Sequence, residues 1–150
     1  MKTSFSHSLT LLTLLSAFLL CAAQAKDGPT GKLKATLVYA TNSPEGDGNA
    51  KPVPSNLNSA ISKKKLPFKH FYLLGSDTKP IRPGAVNELR PNSQIKISFQ
   101  PSGKGVALDY FQGGKKAFST KAPLTSGKPF IITGPTWRKG KVIIILEHRS

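Results

Sequence analysis

The chain has one cysteine, three histidines and seven acidic residues in 150 positions, against 22 lysines and arginines. Each shortage closes a class of function. The single thiol, Cys21, falls inside an apolar leader, so the residues after it can form no disulfide, thiol redox site or thiolate metal site. Beyond the leader the imidazoles are His70 and His148 alone, too few for a centre of three or four ligands, so no metal and no other cofactor is expected. The longest apolar stretch, Leu9 to Leu20, is broken by Thr13 and Ser16 and falls short of the roughly 20 residues that span a bilayer.

What is present begins with an export pattern. Lys2 and His7 precede the apolar stretch, and the small residues Ala23 and Ala25 precede an expected cut ahead of Lys26. Residues 1–25 are therefore read as a secretory signal peptide and residues 26–150 as a single β domain, delivered to the periplasm or outside the cell. Lipid attachment at Cys21 is disfavoured, because Leu20 stands where such a signal has a small residue. No Asn stands two positions before Ser or Thr, which agrees with a bacterial source.

All 13 Gly and 12 Pro follow the leader and recur between short β-branched and aromatic runs, the punctuation of an all-β chain. Leu33, Ala35, Leu37 and Tyr39 alternate with Lys34, Thr36 and Val38, which predicts a strand from about 33 to 40. Asn42 to Pro54 reads as a surface loop. A short helix is expected from about 56 to 65, capped by Ser55 or Asn56, with Leu57, Ala60, Ile61 and Lys64 on one face and Pro67 beyond its end. Phe68 to Leu74 should be a strand closed by Gly75, and the Pro-bearing Ile81 to Leu89 an edge. Ile95 to Phe99 and Val106 to Tyr110 form a hairpin across a turn from Pro101 to Gly105, and Gly113-Gly114 turns into a strand from Lys115 to Lys121. Phe130 to Thr133 and Val142 to Leu146 are nearly unbroken apolar runs, the composition of central strands buried on both faces. The expected fold is an antiparallel β-sandwich of six to eight short strands with one short helix, a small barrel being the alternative.

The runs Thr36-Leu37-Val38-Tyr39-Ala40-Thr41-Asn42, Lys51-Pro52-Val53-Pro54 and Leu66-Pro67-Phe68-Lys69-His70-Phe71-Tyr72 resemble, in their order, a group of small exported bacterial proteins of unknown function. The resemblance covers about residues 34–74. It implies no activity and transfers no functional residue.

Catalytic constellations are scarce. Asp109 and Glu147 would make a carboxylate pair only if their strands were neighbours, so a small hydrolase is the third-ranked reading. Glu45-Gly46-Asp47-Gly48-Asn49 lacks the spaced carboxylates of a calcium loop. Gly103-Lys104-Gly105 and Gly113-Gly114-Lys115 open no predicted helix and read as turns rather than phosphate cradles. No catalytic residue is assigned.

The basic residues fall into groups. Lys63, Lys64, Lys65 and Lys69 surround the end of the helix, where a helix dipole accounts for their position but not their number. Lys115, Lys116 and Lys121 form a second group. Arg138, Lys139 and Lys141 form a third beside Trp137, whose indole either caps the core or, exposed, stacks on a ligand. The expected function is non-catalytic binding of an anionic envelope polymer or membrane surface by the first and third groups with Trp137. Nucleic acid is disfavoured as the natural ligand, since Phe99, Tyr110 and Phe118 alternate like core residues. The alternative is a structural or assembly protein that pairs with a partner protein through Val142 to Leu146 or the edge near Ile81 to Leu89.

Overall fold

A computed structural model describes residues 28–44 and 51–150. The leader, Cys21 and the Glu45 to Asn49 segment lie outside the described residues. Nine strands and one helix follow in the order β1 (Lys32–Thr41), β2 (Lys51–Pro52), α1 (Ser55–Lys63), β3 (His70–Pro80), β4 (Asn87–Leu89), β5 (Ile95–Ser102), β6 (Gly105–Gln112), β7 (Lys115–Pro123), β8 (Phe130–Trp137) and β9 (Gly140–Arg149) among those residues. They build two antiparallel sheets, ordered β2-β3-β1-β9-β8 and β4-β5-β6-β7. Both sheets keep open edges, so the fold is a sandwich and not a barrel.

The strand period of two accounts for the layers. Leu33, Ala35, Leu37 and Tyr39 of β1 meet Ile97, Phe99, Leu108 and Tyr110 of the second sheet in the main core, together with Val142, Ile144 and Leu146 of β9. The alternate residues Val38, Ala40, Ile143 and Ile145 face the other way and pack against Leu57 and Ile61 of α1. Burying two such side chains contributes roughly 1.5–3 kcal/mol each, which holds a nine-residue helix too short to persist alone. The continuous apolar run of β9 thus reflects two covered faces.

Several expectations change. No side chain caps α1. Ser55 is its first helical residue and Pro54 holds the cap position, its carbonyl accepting from the amides of Leu57 and Asn58. β3 does not stop at Gly75 but runs to Pro80. Gly75 is there because the Pro91 carbonyl crosses so close that a Cβ would collide with it; the glycine marks a close approach rather than a turn. The turn after β5 shrinks to Gly103-Lys104, since Ser102 pairs with Gly105. β8 is an edge strand with Phe130, Ile131 and Ile132 only half-buried, not a central strand. Ile143 to Leu146 is paired on both sides, by β1 and β8, and Val142 by β1 with the β8 bulge on its other side, so the run has no edge to offer a partner. The segment from Ile81 to Leu89 does supply an edge, but only the three residues of β4.

Candidate functional site

The helix delivers the first basic group to the end of the helix-backed sheet. Lys63 closes the last turn, Lys64 is the C-cap and Lys65 turns left-handed at φ 48°. The chain then crosses to β3 and is clamped by Asn42: its Nδ2 donates to the Pro67 carbonyl at 3.4 Å, and its Oδ1 accepts from the Lys69 amide at 3.0 Å. His70 follows opposite Thr41, the last residue of β1.

The third group arrives at the same end from the other side. Lys141 lies opposite Ala40, and Arg138-Lys139 forms the two-residue loop between Trp137 and Gly140. At a strand spacing of about 4.8 Å, the starts of β3 and β9 flank β1 at a separation of roughly 10 Å. Lys141 alternates with the core residue Val142, so it shares the helix-side face with Ile143 and Ile145. Sheet order therefore gathers the first and third groups, which are far apart in the chain, at one end of one layer.

The second group divides. Gln112 Nε2 donates to the Thr136 carbonyl at 3.4 Å, which ties the β6–β7 hairpin and its Lys115 and Lys116 to the same end. Lys116 is paired with Asp109 at 3.6 Å, and Lys121 lies farther along β7 beside an open trough of about 420 Å³ on the outer face of the second sheet.

Backbone geometry singles out two of these cations. Lys65 and Arg138 (φ 51°) are the only non-glycine residues with positive φ among the described residues. Gly103 and Gly113 hold the first position of the other two-residue hairpin loops, each at φ 58°. Arg138 occupies that same position and geometry with a long side chain, at a cost of about 1–2 kcal/mol.

The described acids are engaged elsewhere. Asp77 accepts from the amides of Thr78 and Arg90, Glu88 pairs with Arg90 at 3.2 Å and Lys96 at 3.3 Å, and Glu147 pairs with Lys34 at 3.6 Å. Among the described residues, no carboxylate comes within ion-pair distance of Lys63, Lys64, Lys65, Lys69, Lys139 or Lys141. Charge alone does not mark this end, because Lys32, Lys79, Arg82 and Arg149 crowd the opposite one.

Trp137 separates from its basic neighbours. It is 8% exposed and belongs to the main core, so its ring presents no stacking face to a ligand, and its buried Nε1 has no hydrogen-bond partner. Asp109 and Glu147 do not meet either. Asp109 alternates with Leu108 and Tyr110 on the outer face of one sheet, while Glu147 follows the core residue Leu146 on the outer face of the other. The Ser119 hydroxyl donates to Asp109, and that bond, followed by Lys116, holds the Asp109 carboxyl below its ordinary range. A carboxylate so stabilised is a weak base for activating a serine. Both described histidines, His70 and His148, lie in the other sheet.

Among the described residues no group of three or more His, Cys, Asp or Glu side chains is placed to hold a metal ion, and no helix is long and apolar enough to cross a membrane. Sequence reasoning missed the Asn42 clamp and the left-handed backbone of Lys65 and Arg138. The only hint of the latter is spacing, since Arg138-Lys139 stands between residues that must pair. No family model, curated protein or solved structure matches the chain.

Proposed function

We propose that this is an exported, non-catalytic protein that binds an anionic component of the cell envelope through Lys63, Lys64, Lys65, Lys69, Arg138, Lys139 and Lys141. The observation that carries the reading is the backbone strain. Glycine would relieve it at Lys65 and Arg138, yet both positions hold cations and both lie at the end where two basic groups converge. Strain retained at a cluster of like charge is the mark of a site shaped for a ligand rather than for stability.

The test measures binding of residues 26–150 to lipopolysaccharide, to vesicles containing phosphatidylglycerol and to duplex DNA, at about 0.05 and 0.2 M salt. The expected result is selective binding to one envelope ligand that persists at the higher salt and weakens tenfold or more in both Lys63→Gln/Lys64→Gln/Lys65→Gln and Arg138→Gly. Equal binding to all three polyanions, lost at the higher salt and indifferent to Arg138→Gly, would mean that the charge is a general surface property. Mass analysis of the exported chain checks the cut ahead of Lys26.

A further inference from the structure

The two sheets present four edge strands, β2, β8, β4 and β7, and three of them carry the usual protection against pairing. β2 is two residues long and includes Pro52, and the stretch of β3 beyond it that has no outer strand, Gly75 to Pro80, carries Asp77 and Lys79 and ends in Pro80. β4 has three residues and Glu88 at its centre. β7 is longer but bears Lys115, Lys116 and Lys121 and ends in Pro123. β8 is different: its eight residues include no charge, and Phe130-Ile131-Ile132-Thr133 is paired with β9 on one side only. The bulge at Gly134-Pro135 and the Gln112 bond to Thr136 protect its far half and leave this first half open.

Both faces of the open half are apolar. Ile131 borders the helix layer, while Phe130 and Ile132 pack, half-buried, against the main core with Phe118 of β7 and Leu124. β7 and β8 run along the same side of the sandwich without hydrogen-bonding to each other, so the core approaches the surface between them. An added strand beside β8 would complete the ladder and cover this seam.

Charge decides what that strand is. Lys128 precedes β8, and Lys115, Lys116 and Lys121 line β7 across the seam. A second copy, with a formal net charge of +15, would bring like charge to like. We propose that the free edge of β8 accepts an extended segment of a partner protein, with apolar residues at every second position and acidic residues between them, as a sixth strand of the helix-backed sheet. This site is separate from the anion site and does not depend on it.

The test uses a labelled synthetic peptide alternating Val and Glu over about nine residues, an ordinary strand length. A Gly/Glu peptide of equal charge and a Val/Lys peptide are the controls. Fluorescence anisotropy with residues 26–150 should show the Val/Glu peptide binding at least tenfold tighter than either control. Hydrogen exchange should show new protection confined to Phe130 to Gly134. Lys128→Glu, a surface change, should weaken binding several-fold, and Lys63→Gln/Lys64→Gln/Lys65→Gln should leave it unchanged. Equal binding of the two acidic peptides, protection at another edge or nowhere, or loss in the triple variant would overturn the assignment. So would a dimer in sedimentation with β8 already protected in the absence of peptide.

Discussion

β8 and β9 are neighbours of similar composition, joined by a two-residue loop, yet they live in different surroundings. From Ile143 to Leu146, β9 has a sheet on one face, the helix layer on the other, and a hydrogen-bonded strand at each side. β8 has apolar neighbours on both faces but a strand on one side only. The difference separates two properties that an apolar run merges: how many faces of a strand are covered and how many of its edges are paired. Side chains report the first, and backbone partners determine the second.

The largest effect expected from this contrast is on stability. Ile144→Ala should cost about 3–4 kcal/mol in urea unfolding, because the side chain is fully buried in the main core, whereas Ile132→Ala at the half-buried edge should cost about 1–2 kcal/mol. Equal costs would show that β8 is covered in solution. Leu57→Ala should fall between them at about 2–3 kcal/mol and loosen only the helix-side contacts of β9, seen as faster exchange in α1 before any in the second sheet. In the loop that joins the two strands, Arg138→Gly should change stability by no more than about 1 kcal/mol, because relief of the left-handed strain is offset by the added freedom of the unfolded chain and by the loss of the interaction that the Arg138 side chain makes. A variant that gains stability while losing anion binding would place the two demands on one residue.

The smallest effect concerns acid, and it belongs to the other sheet. Hydrogen bonds and charge from Lys96 and Arg90 hold the Glu88 carboxyl below its ordinary value of 4.5, and Ser119 with Lys116 holds Asp109 below 3.8. Carboxyls lowered by folding add stability that is complete above about pH 5 and disappears as pH falls through their folded-state values. Solvent reaches both carboxylates and screens the effect. Glu88→Gln/Asp109→Asn should slightly flatten the drop in melting temperature between pH 7 and pH 3 and should leave exchange in the β8–β9 hairpin unchanged.

Strand alternation in β1 and β5, the glycine pair before β7 and the helical spacing of Leu57 and Ile61 were all legible in the sequence, because each is a local rule with a local cause. The meaning of Gly75 was not, since the Pro91 carbonyl that requires a glycine there comes from another part of the chain. The same limit applies to the candidate site. Its lysines and Arg138 are conspicuous in composition, but their meeting depends on β1 standing between β3 and β9. For Trp137 the sequence left two readings, capping the core or stacking on a ligand, and the extent of β8, which carries the ring into the main core, decides for the first.

The position of β1 also bears on the order of events in folding. One of its partners, β3, follows after a loop and a short helix, while the other, β9, lies roughly a hundred residues away, with Lys32 opposite Arg149. Half of the central ladder therefore cannot form until distant parts of the chain have met. Closing so long a loop adds little to the equilibrium cost, which rises by only about 0.6 kcal/mol per doubling, but pairings of such range are slow, on the order of milliseconds to seconds. Until β9 arrives, β1 lacks one of its two neighbours and the main core lacks Val142, Ile144 and Leu146, so a single long-range pairing closes both the ladder and the core.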